Sequence, residues 1–415
     1  MDKQFFINNR ERIGEKIKED SMAVFFAGRA PYKSADEVYD FTPNRNFYYL
    51  SGIPEEKVIL LMWKLDGILH QCLFIEERDE VMARWVGETI SVEEAEELSG
   101  ITDIRYLKNF ESNIGSLIDI YKLNTVYLDL ERQEMNIPAT QSQEFASKII
   151  SRYPYMRIEN IYNEIAVLRT VKTEDELELM RKAIEITYEG IKGIWRNAKP
   201  GMMEYEIEAY YNFELQRRGI KKLAFATIAA SGKNATVLHY GDNNCKTNDN
   251  ELMLLDLGAQ YKLYNADISR TFPLNGKFTE RQKEIYSIVL KANEEVMKAV
   301  RPGITTLDLQ KKCKEILAEG CKRIGLIKED AELDKYYFHG VSHPLGLDTH
   351  DVRIRGMKLK PGMVLTDEPG LYIPEEGIGI RIEDDILVTE DGYENLSAGI
   401  IKSIEEIEKF MKDNK

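Results

Sequence analysis

Cysteine and histidine are scarce in this chain, which has four cysteines and five histidines among 415 residues. The cysteines are Cys72, Cys245, Cys313 and Cys321. They form no CxxC pair, and their spacing favours reduced thiols over a disulfide framework or a cysteine-based zinc site. We therefore expect a cytoplasmic protein. Four of the five histidines lie in the C-terminal half, and the fifth, His70, begins a strand-like segment where we expect a structural role.

Long apolar runs and basic stretches are also missing. The longest apolar runs, such as Val58–Trp63, are far shorter than the ~20 residues that span a bilayer, and the charged N-terminus has no apolar signal segment. The net charge of −15 includes no strongly basic stripe, which argues against nucleic acid or an anionic membrane as a partner. The 31% charged and 10% aromatic content is typical of a folded globular protein.

The order of the predicted elements indicates two domains. Up to residue 162, strand-like segments, among them FYYLSGI (47–53), alternate with helical ones, which predicts a mostly parallel α/β domain. Beyond that point the helices are longer, and the first of them begins with a capping box of Thr173 and Glu176. We expect domains at residues 1–162 and 163–415.

Two carboxylates interrupt apolar strands in the second domain. Asp256 lies in ELMLLDLGAQ (251–260), and Asp267 lies in YNADISRTFPL, eleven residues later. Antiparallel pairing of these strands would bring both carboxylates to one face, where two unpaired charges would be costly. The pair alone leaves a structural alternative open, in which one carboxylate caps a loop and the other pairs with Arg270.

Two further carboxylates repeat this pattern. Glu368 ends the apolar part of VLTDEPGLY (364–372), and Glu383 lies within GIGIRIEDDILVTEDG (377–392). Strand alternation places Arg381, Glu383 and Asp385 on one face. Four carboxylates on two hairpins are better explained by convergence on a cation than by solvated charge.

Three of the histidines lie within HGVSHPLGLDTHD (339–351). His339 and His343 have the i, i+4 spacing of a helical zinc site, but Gly340 occupies the position of the required Glu and Pro344 opposes a helix. We therefore predict a loop that presents imidazoles to the same site as the carboxylates.

These segments resemble the pita-bread metallopeptidases, the superfamily of aminopeptidase P, prolidase and methionine aminopeptidase. The matching motifs are Asp256-Leu-Gly258, Asp267-Ile-Ser-Arg-Thr-Phe272, His339-Gly-Val-Ser-His343-Pro-Leu-Gly-Leu-Asp-Thr-His350-Asp351, Asp367-Glu368-Pro-Gly-Leu-Tyr372 and Gly379-Ile-Arg381-Ile-Glu383-Asp384. Residues 35–53, ADEVYDFTPNRNFYYLSGI, resemble the N-terminal domain of aminopeptidase P and prolidase, which methionine aminopeptidase lacks. The resemblance implies an α/β N-terminal domain followed by an α+β pita-bread catalytic domain.

The resemblance also implies two divalent metal ions. By the family pattern Asp256 binds one ion, His343 and Glu368 bind the other, and Asp267 and Glu383 bridge them. Because a carboxylate-rich site with one imidazole favours harder ions, Mn²⁺ is our choice, with Co²⁺ and Zn²⁺ as alternatives.

The implied activity is hydrolysis of the N-terminal Xaa-Pro bond of peptides by a metal-bridging hydroxide, with Glu368 as proton shuttle. His350 would stabilise the oxyanion or hold the substrate carbonyl. The remaining implied site residues are His239 and His339 on the leaving-residue side, Tyr372 near the proline pocket, and Arg381, which would position a carboxylate or the substrate.

The expected partners are peptides with proline at the second position, and the resemblance suggests a homodimer or homotetramer. Trp85 could reach across such an interface, although its expected role is that of a core tryptophan. The nearest alternative activity is that of a prolidase, which cleaves Xaa-Pro dipeptides only. A creatinase-type, metal-free hydrolase on the same fold is disfavoured because all five ligand positions are intact. A non-catalytic binding protein is disfavoured by the same ligands together with His239, His339 and His350.

Overall fold

The computed structural model describes residues 1–131 and 134–414, and the chain divides into two compact units, Met1–Leu168 and Arg169–Lys415. The sequence indicated a boundary at residue 162. That residue begins the helix Tyr162–Thr170, and the division between the units falls inside this helix. Each unit has a hydrophobic core of its own.

A mixed six-stranded sheet forms the centre of the first unit. Its strands, with a small separate hairpin of β2 and β3, are β1 (Ser21–Phe26), β2 (Tyr32–Ser34), β3 (Glu37–Val38), β4 (Ile59–Leu65), β5 (Ile68–Ile75), β6 (Ile104–Tyr106), β7 (Thr125–Leu128) and β8 (Arg157–Asn160). The spatial order is β6-β5-β4-β1-β7-β8, in which β1–β7, β7–β8 and β5–β6 are parallel and β1–β4 and β4–β5 are antiparallel. The two-residue turn Asp66-Gly67, with φ of 52° and 75°, joins β4 to β5 and makes the centre of the sheet antiparallel.

Helices flank these strands along the chain. They are α1 (Lys3–Gly14), α2 (Arg45–Ser51), α3 (Glu80–Val86), α4 (Val92–Ser99), α5 (Phe110–Asp119), α6 (Gln141–Arg152) and α7 (Tyr162–Thr170). The strand predicted at 47–53 is wrong, because residues 47–51 belong to α2. Asn44 accepts a hydrogen bond from the Phe47 backbone at 2.8 Å, and Gly52 ends the helix in the left-handed conformation at φ 74°. The two caps override the β propensity of the aromatic residues between them.

Long helices pack around the strands of the second unit. They are α8 (Glu174–Asn197), α9 (Glu204–Gln216), α10 (Glu280–Ala299), α11 (Thr306–Arg323) and α12 (Ile404–Asp413). The predicted capping box of Thr173 and Glu176 is present at the start of α8, where Glu176 accepts from the Thr173 backbone at 2.8 Å. None of the helices in the described part of the chain combines the length and apolar character needed to cross a membrane.

Short antiparallel strands make up the rest of the second unit. They are β9 (Ile228–Ser231), β10 (Leu252–Leu257), β11 (Gln260–Tyr261), β12 (Tyr264–Asn265), β13 (Ile268–Pro273), β14 (Val364–Asp367), β15 (Gly370–Ile373), β16 (Ile378–Arg381), β17 (Asp384–Val388) and β18 (Tyr393–Asn395). They pair as β13-β10-β9, β11-β12, β14-β17-β18 and β15-β16. The predicted antiparallel pairing of β10 with β13 is confirmed, with Leu257 opposite Ile268.

Candidate metal centre

The hairpin of β10 and β13 carries the first two carboxylates. Asp256 lies opposite Ser269 in the strand register, and Asp267 immediately precedes β13. The two chain segments approach closely at Gly258, where a Cβ atom would lie 1.8 Å from the Ala266 carbonyl oxygen. The strand register places the side chains of Asp256 and Asp267 on the same face of the hairpin.

The other two carboxylates come from the two C-terminal hairpins. Glu368 follows β14 directly, and Glu383 lies at the break between β16 and β17. The Ser269 hydroxyl donates to Glu383 Oε2 at 2.7 Å, and the Asp267 backbone N–H donates to Asp385 Oδ2 at 3.2 Å. Both contacts lie on the side predicted by strand alternation, although the strand itself is interrupted at Glu383.

His343 completes the cluster from a loop, as the sequence predicted. Its Nε2 atom lies 3.4 Å from Asp267 Oδ2 and 3.6 Å from Glu368 Oε1. One potential ligand atom from each of Asp267, His343 and Glu383 lies within 4.8 Å of the others. His343 Nδ1 lies 3.0 Å from the carbonyl oxygen of Pro344 and donates to it, so Nε2 is the ring nitrogen that faces the carboxylates.

The electrostatics of the cluster fit a divalent cation. Burial, reinforced by neighbouring carboxylates, raises the pKa values of Asp267 and Glu383 well above their usual range. Burial is also the main cause that raises the pKa of Glu368 to about 7. The Oδ1 atom of Asp256 is buried without a hydrogen-bond partner. A divalent cation would relieve the repulsion between the carboxylates and satisfy this oxygen.

Arg381 connects the cluster to the surrounding strands. Its Nη2 donates to Asp256 Oδ2 at 2.6 Å, Nη1 donates to the Tyr372 hydroxyl at 2.9 Å, and Nε donates to Ser269 Oγ at 2.8 Å. Although burial opposes its charge, the facing tyrosine and carboxylates raise the pKa of Arg381. Arg270 instead pairs with Asp384 at 2.8 Å, so the structural alternative in which Arg270 pairs with Asp256 or Asp267 is wrong.

Three further histidines lie near these residues. His339 Nδ1 faces the Gly340 carbonyl oxygen at 2.8 Å, so its Nε2 accepts from the Tyr372 hydroxyl at 2.9 Å. Burial lowers the pKa of His339 to about 4 and, together with His343 and His239, lowers that of His350. The His350 ring packs edge-on against His343 at 4.3 Å between centroids. The exposed His239 contributes to the lowered pKa values of both His339 and His350.

Two expectations from the first domain can be compared with the structure. His70 stacks on Trp63 at 5.1 Å between ring centroids, which agrees with a structural role. Trp85, expected in the core, is 81% exposed on α3, a helix with no buried residue. The prediction of a core position is wrong because α3 presents its apolar side chains to solvent rather than to the sheet.

The buried charges that hold these segments in place were not predicted from the sequence. Asp351 forms buried ion pairs with Lys172 at 2.9 Å and with Arg169, and Glu204 is fully buried. The one signal for Lys172 is its position directly before the capping box of Thr173 and Glu176. Nothing in the sequence distinguishes Glu204 from the acidic residues that commonly occupy the first turn of a helix.

Comparison with known proteins gives consistent matches over the whole chain. Residues 178–390 match the family described as Metallopeptidase family M24, and residues 6–127 match the Aminopeptidase P, N-terminal domain. The Xaa-Pro aminopeptidase of Escherichia coli K12 is 34% identical, with 99% of this chain and 98% of that protein covered.

Solved structures agree with these matches. A Bacillus anthracis protein provisionally assigned as an aminopeptidase P is 51% identical, with a TM-score of 0.99 and coverage of 100% of this chain and 99% of that chain. Escherichia coli aminopeptidase P, solved with the inhibitor Pro-Leu, is 33% identical, with a TM-score of 0.92 and the same coverage.

Proposed function

The chain belongs to metallopeptidase family M24 and has the predicted α/β N-terminal domain followed by the pita-bread catalytic fold, and on this premise we propose that it is a metal-dependent Xaa-Pro aminopeptidase. The observation that carries the proposal is the convergence of Asp267, His343 and Glu383 within 4.8 Å, beside Glu368. The similarity to Xaa-Pro aminopeptidases over the full length supports the choice of substrate.

We propose that the site holds two divalent ions, with Mn²⁺ preferred. Asp256 would serve one ion, His343 and Glu368 the other, and Asp267 and Glu383 both. Four carboxylates supply a formal charge that two M²⁺ ions balance, and a donor set of oxygens with one imidazole and no thiolate favours a hard cation.

The divalent ions, when bound, supply Lewis acidity that activates water and polarises the scissile carbonyl. Glu368 is placed to move the proton, because its carboxylate lies 3.6 Å from His343 in the cluster, where it could accept a proton from water and donate it to the leaving nitrogen. Its Oε2 atom lies 3.7 Å from His339 Nδ1, on the side where the leaving nitrogen would be protonated.

The substrate bond explains why these parts are needed together. An Xaa-Pro amide has no N–H, and the ring fixes its geometry, so the site must recognise the ring and protonate an imino nitrogen. We propose that His239, His339 and Tyr372 contact the proline residue, and that His350 holds the carbonyl oxygen of the scissile bond. Arg381 would act by holding Asp256 and Tyr372 in place.

A peptide panel tests the activity and separates it from that of a prolidase. We expect Mn²⁺-loaded protein to release the first residue of Ala-Pro-Ala, to leave the matched peptide Ala-Ala-Ala intact, and to lose activity on chelation until Mn²⁺ is restored. Hydrolysis of Ala-Pro alone would assign a prolidase. Metal binding without turnover of any peptide would instead favour a non-catalytic binding protein.

We also propose a homodimer or homotetramer and a cytoplasmic location. Val81, Met82, Trp85 and Val86 expose their side chains together on α3, which supports burial of this patch against another subunit. Light scattering of the wild type and of Trp85→Ala tests the assembly, which we expect the substitution to weaken.

The proposed location rests on the cysteines. All four are free thiols and three are buried, as suits a reducing compartment.

A further inference from the structure

Glu204, at the start of α9, is a fully buried carboxylate that accepts hydrogen bonds at both oxygens. Its Oε1 accepts from the backbone and hydroxyl of Ser231, at 2.8 and 2.7 Å, and from Asn234 Nδ2 at 3.0 Å. Its Oε2 accepts from the Tyr240 hydroxyl at 2.7 Å and from the Cys245 backbone at 3.0 Å. All five donors are neutral groups, so hydrogen bonds alone hold this charge in the interior.

The five donors belong to one stretch of chain, residues 231–245, which we name the His239 segment. Ser231 begins it at the end of β9, and Cys245 ends it. The Glu204 backbone N–H also donates to the Cys245 carbonyl at 3.0 Å. The Glu204 side chain therefore connects the two ends of the segment. It also binds Tyr240, the residue next to His239. Burial alone would raise the pKa of Glu204, but these hydrogen bonds lower it, so the carboxylate stays ionised.

The other side of the His239 segment packs on the strand that carries Arg381. A Cβ atom on Gly379 in β16 would lie 1.9 Å from the Ala235 carbonyl oxygen, so the two backbones are in direct contact. The segment is therefore fixed between Glu204 and β16. His239 itself is exposed, in a turn that follows the 3₁₀ helix Gly232–Thr236. Its position depends on the anchors on either side.

We propose that Glu204 is a positioning residue for substrate binding, which acts by holding the His239 segment so that the His239 side chain faces the substrate. This inference rests on the proposed peptidase function. Glutamine at this position keeps the shape of the side chain, but its amide nitrogen cannot accept a hydrogen bond. The donors that bind one of the two Glu204 oxygens would lose their acceptor. The turn that carries His239 would then no longer be held in place.

A double-mutant cycle in the full-length Mn²⁺-loaded protein tests this mechanism. We expect Glu204→Gln to lower kcat/KM roughly tenfold or more when His239 is present, and to change it by less than about twofold in the His239→Ala background. We expect His239→Ala itself to lose most of its activity, with enough turnover left to measure kcat/KM, and to keep its metal. Equal losses in both backgrounds would show a general structural role and overturn the proposal.

Two further variants keep the cycle interpretable. Tyr240→Phe removes a single hydroxyl from Glu204, and we expect a smaller loss that again disappears in the His239→Ala background. Glu206→Gln removes an exposed carboxylate from the same helix, where it accepts from the Met203 backbone at 2.7 Å. We expect this control to leave kcat/KM unchanged, even if it lowers the melting temperature.

Amide hydrogen exchange gives a readout that does not depend on turnover. In Glu204→Gln we expect the amides of residues 231–245 to exchange at least about tenfold faster, while those of β10 and β13 keep their protection. Unchanged exchange in residues 231–245 would overturn the proposal. A wild-type protein that cleaves no Xaa-Pro peptide would refute the proposed function instead, and the exchange result would still decide whether Glu204 holds the segment.

Discussion

Arg381 donates to Asp256 Oδ2 at 2.6 Å, while Oδ1 of the same carboxylate is buried and has no hydrogen-bond partner. One oxygen of Asp256 is thus fixed by the guanidinium and the other remains available. Since Arg381 also holds Tyr372 and Ser269, a single side chain orients one proposed metal ligand and one proposed substrate contact. Lysine cannot reproduce this, because its ammonium group has no planar fork of donors.

We therefore expect Arg381→Lys to weaken Mn²⁺ binding roughly 10–100-fold, as is usual when a partner of a metal ligand is lost. Calorimetric titration of the metal-free protein measures the affinity directly. Arg281→Lys is the matched control, because Arg281 pairs with Glu376 at 2.6 Å on the surface. Equal affinities for the wild type and Arg381→Lys would show that Asp256 is held without the guanidinium.

Glu368→Gln should abolish turnover while the fold is retained. Glutamine keeps one oxygen for a metal ion but cannot accept and release a proton, and general acid–base catalysis contributes about 10²–10⁴-fold. The measurement is kcat on Ala-Pro-Ala at saturating Mn²⁺, with circular dichroism to check the fold.

Glu390→Gln provides the control for Glu368→Gln, since it makes the same chemical change at an exposed position. Residual activity within tenfold of the wild type in Glu368→Gln would rule out the proton-transfer role. Loss of bound metal in that variant would show that Glu368 contributes mainly as a ligand.

The carboxylates of the candidate site could be predicted because charge inside an apolar strand is costly and is visible in the sequence. His343 could be predicted because it shares one loop with two other histidines. Asp256 and Asp267 stand out in this way. Arg381, Glu383 and Asp385, which were predicted to share a face, all contact Asp267 or Ser269, although the strand is interrupted at Glu383. The helix at 45–51 could not be predicted from the propensity of its aromatic residues, because its two caps decide the local conformation.

The anchors of the site depend on contacts between distant parts of the chain. Asp351 meets Lys172, which is 179 residues away, and Glu204 meets Cys245 at a separation of 41 residues. Neither pairing has a local signature, because charged residues at helix starts and in loops are usually solvated. Only the fold shows that these side chains are buried and what they hold.

Asp351 gives a prediction about pH. Burial alone would raise its pKa, but the charges of Lys172 and Arg169 outweigh burial and hold the pKa below its usual value. A depressed folded-state pKa contributes stability that is present above the unfolded-state pKa of ~3.9 and is lost as the pH falls through the folded-state value. We expect Asp351→Asn to lower the free energy of unfolding by about 3–5 kcal/mol at pH 7, because it removes the carboxylate that pairs with the buried Lys172 and leaves Arg169 with Asp348 alone.

Urea denaturation of metal-free protein at several pH values tests this. The difference between wild type and Asp351→Asn should be constant from pH 7 to 5 and should shrink below about pH 4. Asp334→Asn is the control, because the pair of Asp334 with Lys314 at 2.7 Å is exposed and should contribute less than about 1 kcal/mol. A difference that persists at the lowest pH would mean that the ion pairs are not its source.

Gly258 allows a test of how tightly the hairpin is packed beneath the proposed ligands. It lies between Asp256 and Asp267, and the Cβ of an alanine there would lie 1.8 Å from the Ala266 carbonyl oxygen. Its φ is not in the positive region, so alanine can adopt the backbone conformation and only the contact opposes it. The added methyl group would clash with backbone rather than with a flexible side chain, so β10 and β13 must separate. We expect this to lower the free energy of unfolding by about 1–3 kcal/mol.

The free energy of unfolding of chelated Gly258→Ala, from urea denaturation, measures this cost without any contribution from metal binding. Gly399→Ala is the matched control: no atom lies within 4 Å of its Cβ position, and we expect a change within about 0.5 kcal/mol. If Gly258→Ala were equally neutral, the hairpin would have room to relax. In that case the geometry of Asp256 and Asp267 would be set by the loops around the hairpin rather than by its backbone.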